Sequence, residues 1–125
     1  MVNTFARDKT NMKLETHKDK RGMIKDLLVG KDFSVTYITF KKGAVRGNHV
    51  HKKTLQTDII LSGKLISEDD SLWVAGESRE IEKGYPHAYI ASKDSEMISI
   101  CFGKRIGKNY SKDTYALQTP LITNK

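Results

Sequence analysis

One cysteine in 125 residues, Cys101, excludes an intrachain disulfide. None is needed, since a domain of this length hides roughly two-thirds of the surface its unfolded chain exposes. The chain is read as a single domain over residues 1–125, with its core over about 22–122. Cys101 stands in the apolar run Met97–Phe102, which reads as a buried strand and makes the thiol an inert core group. A free thiol behind a polar N-terminus without a secretory leader points to the cytosol. No apolar stretch approaches the roughly 18 residues that span a bilayer, so no membrane role is expected. Clusters of basic residues are missing as well. The formal charge of +7 comes from 22 Lys+Arg scattered among 15 Asp+Glu, without a basic helix, an aromatic-interleaved stripe or a zinc-finger spacing. Nucleic acid is therefore not the expected partner. A basic surface suits a small anionic substrate equally well, because it raises the local concentration of anions.

Helical periodicity is nearly absent. Strand signals recur roughly every eight to twelve residues, the spacing of an all-β sandwich or barrel. Gly22–Val29 follows a turn at Lys18–Arg21, and Val35–Phe40 is dense in β-branched and aromatic residues. Further strands are read at Arg46–His51, Gln56–Ser62, Lys64–Ser67, Leu72–Ala75 and Ser78–Glu82, then at His87–Ala91 and Glu96–Phe102. Ser62-Gly63 reads as a tight hairpin turn. Tyr115–Ile122 supplies a last edge strand, where Pro120 is tolerated.

The chemistry concentrates in three of the four histidines. His49 and His51 are two apart in a strand, so both side chains point to one face. Gln56 opens the next strand and is expected beside them, and His87 follows the turn Gly84-Tyr85-Pro86. Three imidazoles and one carboxamide oxygen can converge on a single ion, and imidazole suits zinc, copper, nickel and iron. His17 lies outside this pattern and reads as solvated. Asp58 is two on from Gln56 and shares its inward face; a buried carboxyl there has a raised pKa and can serve as acid or base. A turn or surface salt bridge is the alternative role for Asp58. Tyr89, two on from His87, faces inward as a phenol donor or as wall. Tyr37 and Trp73 read as core or barrel rim, a position from which Tyr37 can meet a substrate.

At these residues the sequence resembles the cupin superfamily. The first cupin motif is Gly, five residues, His, one residue, His, three or four residues, Glu, six residues, Gly. Gly43, His49, His51, Gln56 and Gly63 fill it over residues 43–63 with every spacing intact, Gln56 standing in place of Glu. In the second motif, over residues 76–91, Gly76, Gly84 and His87 match, while Glu82 replaces Pro and Ala91 replaces Asn. The resemblance implies a jelly-roll β-barrel of antiparallel strands. It also implies one divalent transition metal (zinc, nickel, manganese, iron or copper) on His49, His51, Gln56 and His87. A neutral Gln leaves the ion its full charge, which favours Lewis acidity and anion binding.

A narrower resemblance covers Asp19–Gly22, Arg46–Lys53 and Gln56, which look like cupins that modify nucleotide-linked sugars, the ketoisomerases and dehydrorhamnose epimerases. In those families the histidines act as acid/base groups, a role this implies for His49; Asp58 and Tyr89, read as inward-facing, are the further catalytic candidates. Arg46 would meet phosphate or carboxylate oxygens in a bidentate fork. His87 completes a metal site that those enzymes do not need. The expected activity is isomerisation or epimerisation of a small anionic carbohydrate or nucleotide-linked sugar. A metal-dependent dioxygenase or lyase, and a non-catalytic sugar-binding cupin, are the alternatives. Open sheets leave edges that a two-fold partner can cover, and cupins commonly dimerise in this way. A homodimer is therefore expected, through Met1–Leu14 or Tyr115–Ile122.

Overall fold

Alternation of branched or aromatic residues with polar ones drives strand formation almost throughout. The computed structural model describes residues 14–103 and 112–123. Its first strands are β1 (Thr16–Asp19), β2 (Gly22–Val29), β3 (Phe33–Phe40), β4 (Val45–His51) and β5 (Leu55–Ser62). They are followed by β6 (Lys64–Ser67), β7 (Leu72–Val74), β8 (Ser78–Ile81), β9 (His87–Ala91), β10 (Ser95–Phe102) and β11 (Thr114–Ala116). Burial in β5, buried at Gln56, Asp58 and Ile60, shows the period of two that places every second side chain inside.

The strands form two antiparallel sheets, β1-β2-β3-β10-β5-β8 and β11-β4-β9-β6-β7. Within them β3 pairs with β10, β4 with β9, β5 with β8 and β6 with β7. That nesting is one long hairpin, its tip at the polar loop Glu68–Ser71, wound so that its strand pairs alternate between the two sheets. This is a jelly roll; the sheets stay separate and do not close into one continuous hydrogen-bonded ring. The core between them takes Phe40, Ile60 and Met97 from one sheet and Leu65, Tyr89 and Ala91 from the other. Phe40 meets Tyr89 edge to face, ring centroids 6.3 Å apart.

Three local expectations are corrected. Ser62-Gly63 is not a hairpin turn, because β5 and β6 lie in different sheets; it is a corner, packed so closely that a Cβ on Gly63 would sit 2.4 Å from the Asp94 carbonyl oxygen. The turn read at Lys18–Arg21 is shorter, because Lys18 and Asp19 belong to β1. Asp19 Oδ1 accepts the Arg21 amide at 2.8 Å, an Asx-type turn that reverses the chain in two residues. The last strand ends at Ala116 and does not run to Ile122. Beyond it Asn48 captures the donors that would continue the ladder: Leu117 N bonds its carbonyl, and Leu121 N and Ile122 N bond its Oδ1. Of the segments read as exchanged or edge strands, Met1–Leu14 lies outside the described residues except for Leu14.

Candidate metal centre and its cavity

The site begins with a defect in β4. Pairing of β4 with β9 slips between Gly47 and His49, where Gly47 has φ 94° and Asn48 φ 56°. This is a β-bulge, with one extra residue on the β4 side. Asn tolerates the left-handed conformation better than most residues, and here its side chain is also anchored to the C-terminal segment at Leu121 and Ile122. Gly47 is obligatory for a second reason: a Cβ there would sit 2.8 Å from the His87 carbonyl oxygen. After the bulge, His49 stands directly opposite His87 in register.

His49, His51 and His87 come together with a ligand nitrogen of each within 4.8 Å of the others. His49 Nε2 lies 2.9 Å from His87 Nε2, close to the spacing of about 3 Å that two bonds of about 2.1 Å to one ion set at a right angle. The outer nitrogens are engaged elsewhere. His51 Nδ1 donates to the Asp113 carbonyl at 3.1 Å and His87 Nδ1 faces the Tyr85 carbonyl at 3.4 Å, which leaves each Nε2 lone pair for the cluster. Burial, and then the neighbouring imidazoles His87 and His51, lower the His49 pKa to about 3. Burial likewise lowers His87 to about 4. Both rings are therefore neutral at pH 7, the form that binds a metal. The three histidines fit a transition-metal ion.

Gln56 reaches the site from a different direction than its sequence position suggests. It stands on β5 in the opposite sheet, not beside His49 and His51. It lines a cavity of about 210 Å³ between the sheets together with His49, His87, Arg46 and Tyr89, and a neighbouring cavity of about 340 Å³ with His51.

Arg46 is 7 % exposed and enters the 210 Å³ cavity. Its Nη2 and Nε donate to the Thr39 carbonyl at 3.1 and 3.3 Å, and its guanidinium lies 5.5 Å over the Phe40 ring. Among the described residues it forms no ion pair. Burial, followed by the positive charge of Arg21, depresses its pKa against the opposing pull of the Asp19 carboxylate. Arg21 lines the same cavity, its side chain held by Asp19 at 2.6 Å. Sequence reading singled out the Asp19–Gly22 segment but gave Arg21 no role of its own. An arginine that closes an Asx turn two residues after Asp19 carries no signal that it will face a site formed some twenty-five residues later.

Other residues fall differently. Asp58 is wholly buried and borders neither cavity; it lies behind Gln56 and Tyr89. Burial pushes its carboxyl up, against hydrogen bonds from Tyr89, Gln56 and Ser99 and the nearby Arg79 charge. Tyr89 lines the cavity, but its hydroxyl donates to Asp58 at 2.5 Å, and burial together with the Asp58 charge raises its pKa. Tyr37 does not reach the cavity. Its neighbour Ile38 faces in, so alternation turns Tyr37 to the outer face, where its hydroxyl bonds Glu96. It is not in a position to bind a substrate there. Cys101 is buried, which raises its thiol to about 11 and makes it inert at neutral pH.

Asp113 and Asn48 are the supporting residues that sequence reading missed. Asp113, 4 % exposed, accepts from Lys52 N, Lys53 N and Thr54 Oγ1 while its carbonyl holds His51. The only available hint was the Gly47-Asn48 dipeptide, whose residue types favour a positive φ.

No family model and no curated protein sequence matches the chain. Solved structures do. The capsular polysaccharide assembling protein CapF from Staphylococcus aureus matches at TM-score 0.65 and 24% identity over 86% of this chain, which spans 35% of that protein. KdgF from Halomonas sp. matches at TM-score 0.66 and 18% identity, over 75% of this chain and 88% of that one. An RmlC-like cupin from Shewanella frigidimarina matches at TM-score 0.64 and 18% identity, over 78% and 90% respectively. The fold is that of the cupins.

Proposed function

We propose that this chain is a metal-dependent cupin enzyme that isomerises or epimerises a small anionic carbohydrate, free or nucleotide-linked, through an enediolate. The observation that carries the reading is that Arg46, buried and without an ion pair among the described residues, opens into the same cavity as His49 and His87. The similarity to a capsular polysaccharide assembling protein favours a sugar. His49, His51, His87 and Gln56 would hold a divalent ion, which when bound supplies Lewis-acid polarisation of a carbonyl oxygen. Arg46 binds the carboxylate or phosphate of the substrate through its planar fork and so fixes which carbon faces the histidines. Ile38, Phe40 and Met97 give the cavity apolar walls, which strengthen the charge interactions beside them. Tyr89 lines the cavity and its hydroxyl donates to the buried Asp58, which makes this pair the further acid/base candidate beside the histidines.

A second reading has its own support. The 2.9 Å contact of the His49 and His87 nitrogens is also the geometry of two imidazoles sharing a proton, as acid/base catalysis without a metal requires. Metal analysis of untagged protein separates the two readings. Incubation in deuterium oxide with a panel of uronates and sugar phosphates then tests the chemistry. The proposed reaction incorporates solvent deuterium beside the substrate carbonyl only when metal is present. Oxygen uptake would replace this reading with an oxygenase, and binding without exchange would replace it with a sugar-binding module.

The proposal includes a cytosolic homodimer. The sheets end in β1, β8, β11 and β7, edges that a second copy can extend. Light scattering at micromolar concentration that returns the mass of one chain overturns the dimer.

A further inference from the structure

Gln56 and Asp58 stand two apart on β5, both buried. Gln56 Nε2 donates to Asp58 Oδ1 at 2.8 Å. A carboxamide has one donating end and one accepting end, and only the NH2 end can bond a carboxylate oxygen. Gln56 borders both cavities beside His49, whereas Asp58 borders neither. Turning the nitrogen toward Asp58 therefore leaves Oε1, the one atom of this side chain able to ligate a metal, to the histidine side. Asp58 is fixed in turn: Tyr89 Oη donates to its Oδ2 at 2.5 Å, and Ser99 adds a further hydrogen bond. All four residues are at most 6 % exposed, so water does not compete for these bonds.

We propose that Asp58 is a positioning residue of the metal centre: it holds the Gln56 carboxamide with its oxygen toward His49, His51 and His87, and so makes a neutral side chain a competent ligand. This rests on the metal reading of the site. Asp58→Asn reverses the pattern. The new side chain has a single accepting oxygen for three donors, Tyr89 Oη, Gln56 Nε2 and the Ser99 hydroxyl. Arg79 already donates to the Tyr89 hydroxyl, so the phenol keeps its own proton for residue 58, and with it on that oxygen the new NH2 group faces position 56. Gln56 can bond it only by turning its own oxygen away from the histidines and its nitrogen, which binds no metal, toward them. Gln56→Glu would accept that NH2 through one oxygen and keep the other for the ion.

The test is a double-mutant cycle read by calorimetric titration with zinc on the wild type, Asp58→Asn, Gln56→Glu and the double variant. Asp58→Asn is expected to weaken zinc affinity at least tenfold, although residue 58 touches no metal. Gln56→Glu is expected to raise affinity at least tenfold more in the Asp58→Asn background than in the wild type. Wild-type affinity for Asp58→Asn, or additive effects around the cycle, overturns the proposal. A variant that fails to fold does not close the question, because the orientation is also read in metal-free wild-type protein from the side-chain amide of Gln56 by nuclear magnetic resonance. A hydrogen-bonded, slowly exchanging NH2 is expected, and one exchanging as freely as a solvent-exposed glutamine overturns the proposal. Wild-type protein that takes up no zinc sinks the metal reading, and the amide measurement still decides the orientation.

Discussion

Arg46 and His49 stand an odd number of residues apart on one strand, yet both face the same cavity. Strict alternation would put them on opposite faces. The bulge at Gly47–Asn48 spends one extra residue and brings the arginine and the histidine into one site.

That places a strong demand on Gly47. Gly47→Ala would drive a methyl group against the His87 carbonyl and the Ala88 Cα, 2.8 and 2.9 Å from where the Cβ must go, at a φ that costs a non-glycine residue roughly 1–3 kcal/mol. The expected result is an unfolding free energy in urea lowered by about that much, with zinc affinity lost along with it, because β4 must move away from β9 at the histidines. A variant as stable as wild type with unchanged zinc binding would refute the role of the bulge.

Metal should stabilise the fold, because the ligands come from three strands and converge only when the chain is folded. The expected gain is roughly 2.7 kcal/mol at a hundredfold excess over the dissociation constant, reversed by chelator. His49→Ala, His51→Ala and His87→Ala should each abolish it. Thermal shifts with zinc, nickel, manganese and iron check this, and no shift with any of them in the wild type would count against a metal.

Without metal, stability should fall with acid. His49 and His87 titrate near 3 and 4 in the folded protein, against about 6.5 in an unfolded chain. The unfolded state therefore binds more protons below about pH 6.5, and each ring contributes a loss of up to roughly 1.4 kcal/mol per pH unit as pH falls toward its folded value. Above pH 6.5 the two rings make no contribution to the slope. Urea midpoints measured between pH 7 and 4.5 should fall less steeply for His87→Ala than for the wild type; equal slopes would contradict the buried, neutral ring.

Arg46→Lys should weaken binding of uronates and sugar phosphates about tenfold or more, since a point charge cannot reproduce a two-pronged contact. Neutral sugars should be unaffected. Calorimetry on both panels checks the difference, and equal affinity for anionic ligands would remove Arg46 from the binding site.

Asp113→Ala should cost about 2–3 kcal/mol. Burial pushes its carboxyl up, but the Thr54 hydroxyl and the Lys53 and Lys52 amides hold it below the ordinary range, and hydrogen bonds to a charged group are worth roughly 1.5–3 kcal/mol each before relaxation. Zinc affinity should fall too, because the side-chain bonds to Lys52, Lys53 and Thr54 hold in place the residue-113 carbonyl that orients His51. Chemical denaturation paired with zinc titration reads both effects, and a loss of stability with unchanged zinc affinity would confine Asp113 to the corner at Lys52–Thr54.

Most strands were legible in the sequence because a period of two is a local property: each residue's neighbours decide whether it faces core or water. The same local rule put His49 and His51 on one face, and the resemblance over residues 43–63 and 76–91 put Gln56 and His87 in the same constellation. What only the tertiary structure decided are relations between segments. Ser62-Gly63 has the composition of a hairpin turn, but whether two strands pair or part into different sheets depends on β10 and β9, which arrive much later in the chain. Gln56 therefore faces the histidines from across the sandwich, and its amide finds Asp58. Tyr37 and Ile38 are both good strand residues, and only the position of the second sheet says which of them points inward. Asp113 and Asn48 join residues more than fifty positions apart, where no periodicity reaches. The bulge is the sharpest case, because one extra residue in β4 reverses the facing of the strand residues after it, and a slip in register against β9 exists only once the two strands are paired.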